Sequence, residues 1–234
     1  MMGGVYAVGV GPGDPELLTR KAERVIREAA VIFAPSATSD DASFALSIVE
    51  PFLQRDRQEV VVRAFPMTRD QGVLNPLREQ AAREIAGHAC SGRDVAFITI
   101  GDPLLYSTFQ PVFRILHEEY PHVPVTFVPG ITSMSAAAAA AGLPLALADE
   151  TVAILPATAD EEKILKALIA FDTIVLLKIS RAFDRVYEML THLKLDKSAV
   201  FVRRVGSVDE EVVSNLASLK GKKLDYLSLL IVKK

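Results

Sequence analysis

Val95-Ala-Phe-Ile-Thr-Ile-Gly-Asp-Pro-Leu-Leu-Tyr-Ser-Thr108 decides how the rest of the chain is read. The run from Val95 to Ile100, apolar except for Thr99, predicts a strand buried on both faces, as in a parallel sheet. Gly101-Asp102-Pro103 ends it, because proline supplies no ladder N–H and fixes the turn. A helix is then predicted from about Ser107 to Glu119. Ligands of open α/β sheets sit at the carboxyl ends of strands, where such turns lie. A fixed carboxylate at that edge is wrong for phosphate, which wants bare N–H groups and a positive helix end. It suits an amine, a hydroxyl or proton transfer. Taken alone, Asp102 equally well caps the following turn.

Outward from this stretch the same alternation repeats. Val5 to Val10 predicts a first strand, followed by Gly11-Pro-Gly-Asp-Pro15. Asp14 is a good N-cap and Pro15 a good first residue for a helix running to about Ala29. Strands are predicted over Ala30–Ala34 and Glu59–Phe65, with helices over Ser43–Gln54 and Leu74–Cys90. A strand from Val123 to Val128 leads into Pro129-Gly-Ile-Thr-Ser133. The next helix holds six consecutive alanines, Ala136 to Ala141, and ends at Gly142. So small a face permits close approach to another backbone or a ligand, and high helix propensity alone also explains it. Beyond it, strands are predicted over Thr151–Leu155, Thr173–Lys178 and Ser198–Arg204, with helices over Asp160–Ala170 and Arg181–Leu193. Glu211–Leu216 and Tyr226–Val232 complete the pattern as consecutive strands. The fold class is therefore α/β in two domains, 1–129 and 130–234. A mostly parallel sheet is expected in the first and a mixed sheet in the second. A cleft between the two is the default ligand site.

Composition narrows the functions. The 234 residues carry a formal charge of −3, which offers no electrostatic footprint for nucleic acid. A single cysteine, Cys90, excludes a disulfide framework and fits a reducing compartment. The amino terminus lacks the charged and apolar regions of a signal peptide, and no run is long enough to span a membrane. A cytoplasmic location is expected. His88, His117, His122 and His192 fall in no ligand spacing, so no dedicated metal site is expected. Gly9-Val-Gly11-Pro-Gly13 has the wrong spacing for a dinucleotide fingerprint, and Pro12 removes an N–H from the cradle. The second strand ends without an acid for a ribose. Neither a Walker loop nor a nucleophile elbow is present.

Three glycine-bearing strand ends remain: Gly11-Pro-Gly-Asp-Pro15, Gly101-Asp-Pro103 and Pro129-Gly130. In that order and spacing, the chain resembles the tetrapyrrole methylases, which use S-adenosylmethionine. The likeness covers essentially the whole chain. It rests on Val8-Gly-Val-Gly-Pro-Gly-Asp-Pro15 with Leu18-Thr19 and Ala22, on Ile100-Gly-Asp-Pro103, and on Val128-Pro-Gly-Ile-Thr-Ser133. Within the family it is most similar to the branch that methylates C(20) of precorrin-2 or cobalt-factor II. That likeness comes from Tyr106-Ser-Thr-Phe109, Asp149-Glu150 before Ala153-Ile-Leu-Pro156, Val175-Leu-Leu-Lys178 with Arg181, and the ending Tyr226-Leu-Ser-Leu-Leu-Ile-Val232.

The resemblance implies a homodimer of two-domain α/β chains. It implies donor contacts at Ile100, Gly101, Asp102, Leu105 and Tyr106, then at Thr132, Ser133, Leu177, Lys178 and about Asn215. Many relatives have methionine where this chain has Leu177, a change that keeps an apolar wall. Pro12, Gly13 and Asp14 would floor a tetrapyrrole trough, with Tyr106 orienting a pyrrole or propionate. Lys178 and Arg181 would meet the acetate and propionate groups. Asp14, Asp102 and Glu150 are the candidate bases for the proton lost from C(20). Other readings are a methylase for another ring position, for RNA or for a modified protein residue, and a metabolite-binding module without turnover. The whole reading requires Gly101 and Thr132 to lie close together.

Overall fold

The structure, a computed structural model, describes residues 2–37, 43–68 and 70–234. It falls into two compact units, Met1–Thr132 and Ser133–Lys234. The first unit runs β1 (Val5–Gly9), α1 (Arg20–Glu28), β2 (Val31–Ser36), α2 (Phe44–Val49), β3 (Glu59–Ala64), α3 (Gln71–Cys90), β4 (Val95–Thr99), α4 (Phe109–Glu119) and β5 (Val125–Val128). Its strands form a sheet of order β3-β2-β4-β1-β5 in which every pairing is parallel. The second unit runs α5 (Ser133–Ala141), β6 (Val152–Pro156), α6 (Glu161–Ala170), β7 (Thr173–Leu177), α7 (Phe183–His192), β8 (Ala199–Arg203), β9 (Glu211–Val213) and β10 (Ser228–Lys233). Its sheet, β6-β7-β10-β8-β9, is mixed: β6 and β7 are parallel and the remaining pairs antiparallel. The α/β class, with a parallel sheet followed by a mixed one, is the one expected from the sequence. No helix among the described residues is long and apolar enough to cross a membrane.

The decisive strand behaves as its composition demands. All five residues of β4 are buried, since helices cover both faces of the sheet. Phe97 is fully buried on one face, stacked on Phe33 at 5.4 Å and packed against Phe109 at 4.9 Å. Ile98 is buried on the other, with Val8, Ile26 and Ile32. The second unit has its own core, in which Ile164, Ile174, Leu176, Leu190, Phe201 and Leu230 are almost wholly buried.

The structure differs from the sequence pattern where local capping outweighs periodicity. The helix expected from Asp14 to Ala29 is two pieces. Pro15–Leu17 form a single 3-10 turn capped by the Asp14 carboxylate, and Leu18 is extended at ψ 135°. Thr19 then caps α1 afresh by accepting from Ala22 N. Apolar spacing runs across this break because Leu18, at the break, packs on the same core as α1. Pro51 similarly turns the end of the helix after α2 into a 3-10 turn over Glu50–Phe52. After β9 the predicted strand becomes a 3-10 turn at Leu216–Leu219.

One buried polar side chain ties α1 to the sheet. Gln58 Nε2 donates to Ile26 O at 2.6 Å and Ala29 O at 2.8 Å, carbonyls that the helix end leaves unpaired. Its Oε1 accepts from Gln54 N at 2.7 Å. Gln58→Leu removes all three bonds and keeps the volume. It is expected to cost about 1–3 kcal/mol in urea unfolding, since the stranded carbonyls keep their desolvation penalty.

Candidate functional site

The site is built on the central strands of the first sheet. β4, β1 and β5 are adjacent and parallel, with Gly9 opposite Thr99 and Val8 opposite Val128. All three therefore release their chains at the same edge. Those exits are the three glycine-bearing turns: Gly11–Pro15 after β1, Gly101–Leu105 after β4 and Pro129–Thr132 after β5.

The turns do not merely neighbour one another; their main chains cross. Gly11 and Gly101 form an isolated bridge, Gly101 N donating to Gly11 O at 2.7 Å and Gly11 N to Gly101 O at 3.3 Å. Gly130 crosses beside them with no room for a side chain. A Cβ on Gly130 would stand 2.7 Å from Gly9 C and would overlap Gly101 O. A Cβ on Gly9 would stand 2.7 Å from Gly130 N. Glycine is required here by close approach of backbones. Thr132 Cα lies 4.0 Å from where a Gly101 Cβ would be, so the two residues the reading needed together are together.

Asp102 joins two of these turns. Its Oδ1 accepts from Leu104 N at 2.8 Å, and its Oδ2 accepts from Gly130 N at 3.1 Å. Leu105 N closes the turn on Asp102 O at 3.3 Å. Two residues support these turns, Thr19 known from sequence only as part of the first motif and Gln110 carrying no signal there. Gln110 Nε2 donates to Pro103 O at 2.8 Å, and the Thr19 hydroxyl donates to Pro129 O at 3.4 Å. A glutamine in an amphipathic helix and a threonine cap look ordinary until the fold brings distant carbonyls to them.

Asp14 is placed differently. Half-buried on the first turn, it accepts from Glu16 N through Oδ1 at 2.8 Å, and among the described residues Oδ2 has no hydrogen-bond partner. Pro12 beside it is buried and Gly13 half-buried. Ile100 is half-buried at the end of β4, and Tyr106 is exposed. Tyr106 holds a left-handed backbone, φ 51°. This conformation costs a non-glycine residue about 1–2 kcal/mol and persists where surrounding structure enforces it.

The second unit carries the remaining residues. Ser133 opens α5, whose alanines Ala136, Ala137 and Ala138 are buried. Leu177 is buried at the end of β7, its carbonyl accepting from Ala157 N at 2.7 Å. Lys178 follows in a left-handed conformation, φ 58°, and Arg181 closes the next 3-10 turn, exposed. Burial raises the Tyr226 phenol above its ordinary range, with the nearby Arg181 charge pulling the other way. Sequence reading used Tyr226 only as part of a motif. Asn215 is exposed before the Leu216–Leu219 turn. Glu150 pairs with Lys233 and accepts from Leu147 N at 2.7 Å. Those bonds, the lysine's first, hold its carboxyl below the usual range.

The three turns combine bare main chain with negative charge. From Gly11 to Pro15, Gly101 to Leu105 and Pro129 to Thr132 there is no lysine or arginine, and the charges are two carboxylates. Bare main chain beside them admits a ligand closely. A sulfonium fits such a lining, and a phosphate does not.

An α/β chain whose three glycine turns cross at one sheet edge defines a class, and comparison with known proteins names it. Residues 4–220 match the family model of Tetrapyrrole (Corrin/Porphyrin) Methylases, and the chain belongs to that family. It is 37% identical over 232 residues to the probable cobalt-precorrin-2 C(20)-methyltransferase of Methanocaldococcus jannaschii, covering 98% of this chain and 96% of that protein. It is 32% identical to the cobalt-precorrin-2 C(20)-methyltransferase of Salmonella typhimurium, covering 100% and 98%. Against the cobalamin biosynthesis protein CobIJ of Mycobacterium bovis, 34% identical, the chain spans 45% of the relative's length. Among solved structures, the uroporphyrin-III C-methyltransferase of Thermus thermophilus complexed with S-adenyl homocysteine shares the fold. Its TM-score is 0.71 at 24% identity, with 99% of this chain and 98% of that one covered.

Proposed function

We propose that this chain transfers a methyl group from S-adenosylmethionine to C(20) of precorrin-2 or its cobalt-loaded counterpart, in the making of cobalamin. The observation that carries this reading is near-full-length similarity to two proteins named for that reaction. The crossing of the three turns supports it, because it leaves a close-approach, anionic lining for a sulfonium.

When bound, the donor supplies an electrophilic methyl carbon. Main-chain groups of Ile100, Gly101 and Leu105, with Tyr106 and Thr132, would hold it. What the protein adds is alignment of the electron-rich ring carbon at about 3–3.5 Å and exclusion of water. Pro12 and Gly13 give a side-chain-poor floor for a flat macrocycle. Lys178 and Arg181 pair with its carboxylates. The proton then leaving C(20) needs an acceptor. Asp14 is that base, since Asp102 spends both oxygens on main-chain N–H groups and Glu150 is held by Lys233.

The test is transfer of a labelled methyl group from S-adenosylmethionine, with metal-free and cobalt-loaded precorrin-2 offered separately. One product methylated at C(20) is expected. Methylation at another ring position, or of RNA or protein instead, overturns the reading. Binding without transfer to any acceptor makes the chain a binding module. A cytoplasmic homodimer goes with this reading, and sedimentation of the purified protein checks the dimer.

A further inference from the structure

We propose that Asp102 is a positioning residue for the methyl donor, acting through the main chain of two turns and taking no proton in the reaction. The proposal rests on the donor assignment above and extends it. Its ground is the geometry of one carboxylate. Oδ1 accepts from Leu104 N at 2.8 Å, within its own turn, and Oδ2 accepts from Gly130 N at 3.1 Å, 28 residues on. The two turns come from β4 and β5, which are not neighbours in the sheet, because β1 lies between them. Ladder hydrogen bonds therefore cannot fix one against the other. Gly130 also cannot shift freely, since it lies against Gly9 and the Gly101 carbonyl. The Asp102 side chain is a hydrogen-bonded link that spans β1 from the second turn to the third.

Charge-assisted bonds from main-chain N–H groups suit this work. They are stronger than neutral ones, and two on one carboxylate fix its direction as well as its distance. A proton shuttle needs a carboxylate that exchanges partners during turnover; this one is engaged at both oxygens by backbone that crosses other backbone. Asparagine cannot replace it. Its oxygen satisfies one N–H, and its amide NH2 then faces the other, donor against donor.

The experiment is Asp102→Asn, with four readouts: affinity for S-adenosylhomocysteine, the tetrapyrrole KM, kcat at saturating donor across pH, and thermal stability. Expected is an S-adenosylhomocysteine affinity lowered about 10- to 100-fold, as loss of one charge-assisted bond and a donor–donor clash imply. The tetrapyrrole KM stays put. The saturated kcat falls less than about threefold and its pH profile keeps its shape. A kcat fall of about 100-fold with an altered pH profile makes Asp102 a base and overturns the proposal. Unchanged S-adenosylhomocysteine affinity overturns it too, whatever happens to the melting temperature. Wild-type protein that fails to bind S-adenosylhomocysteine overturns the donor assignment with it, so the two failures are distinct. Amide hydrogen exchange of the wild type gives a readout that needs no variant. Slow exchange at both Leu104 and Gly130 is expected, and rapid exchange at either sinks the link.

Discussion

Gly130→Ala is expected to destabilise the protein by about 3 kcal/mol or more and to abolish donor binding. The added carbon overlaps Gly101 O and stands 2.7 Å from Gly9 C. Both are main-chain atoms, so no rotamer change relieves the clash. To make room, β1, β4 or β5 must separate at the edge where they exit. That breaks the Gly11–Gly101 bridge and the Asp102 to Gly130 bond. The same chemical change elsewhere supplies the control. Gly87 lies exposed within α3, and a Cβ there meets nothing within 4 Å. Gly87→Ala is expected to stabilise by about 0.5–1 kcal/mol, because glycine in a helix forfeits chain entropy on folding. Urea midpoints of the two variants against wild type read both signs in one experiment. A Gly130→Ala protein with wild-type stability would mean that the three turns do not cross.

The parts of this molecule that could be read from sequence are those where one local rule acts alone. The apolar run Val95 to Ile100 followed by Gly-Asp-Pro has no competing reading, and β4 ends one residue short of the run. The Asp14 and Pro15 start was equally visible, but the length of what followed was not. Leu17, Leu18 and Ala22 keep a helical spacing across the break at Leu18, and Leu18 packs against the same core as Ala22. Only the Thr19 cap betrays the second start. Strand order lies beyond any local rule. That β1 sits between β4 and β5 depends on which faces the helices cover, and the crossing of Gly9, Gly101 and Gly130 follows from that order. Three glycine turns were legible as three separate signals; their contact was not. Asp102 shows the same limit most sharply. Sequence leaves it as a cap, a ligand or a base, and the choice turns on an amide 28 residues away.

Asp14→Asn is expected to lower kcat about 100- to 1000-fold while the Michaelis constants and the melting temperature change little. Stability should hold because asparagine caps helix starts as well as aspartate does, and its oxygen can keep the bond from Glu16 N. What disappears is the oxygen that has no hydrogen-bond partner among the described residues. After methyl transfer the C(20) atom carries both its hydrogen and the new methyl group, and conjugation returns only when that proton leaves. On the proposed reading the Asp14 carboxylate takes it, and in the variant water must. Deuterium at C(20) separates this role from simple positioning. If Asp14 is the base, proton loss becomes slow in the variant and a primary isotope effect on kcat appears or grows. If Asp14 only shapes the trough floor, alignment for methyl transfer suffers instead. KM then rises, and the isotope effect stays as it was. An Asp14→Asn protein with undiminished kcat would move the base to another residue; Asp102 has both oxygens bound to main-chain N–H groups, and Glu150 takes Lys233 and Leu147 N on Oε2, with its carboxyl held below the usual range. The two aspartates of the repeated Gly-Asp-Pro unit thus differ by what their oxygens touch. In the first turn one oxygen has no hydrogen-bond partner among the described residues, and in the second both are bound to the chain.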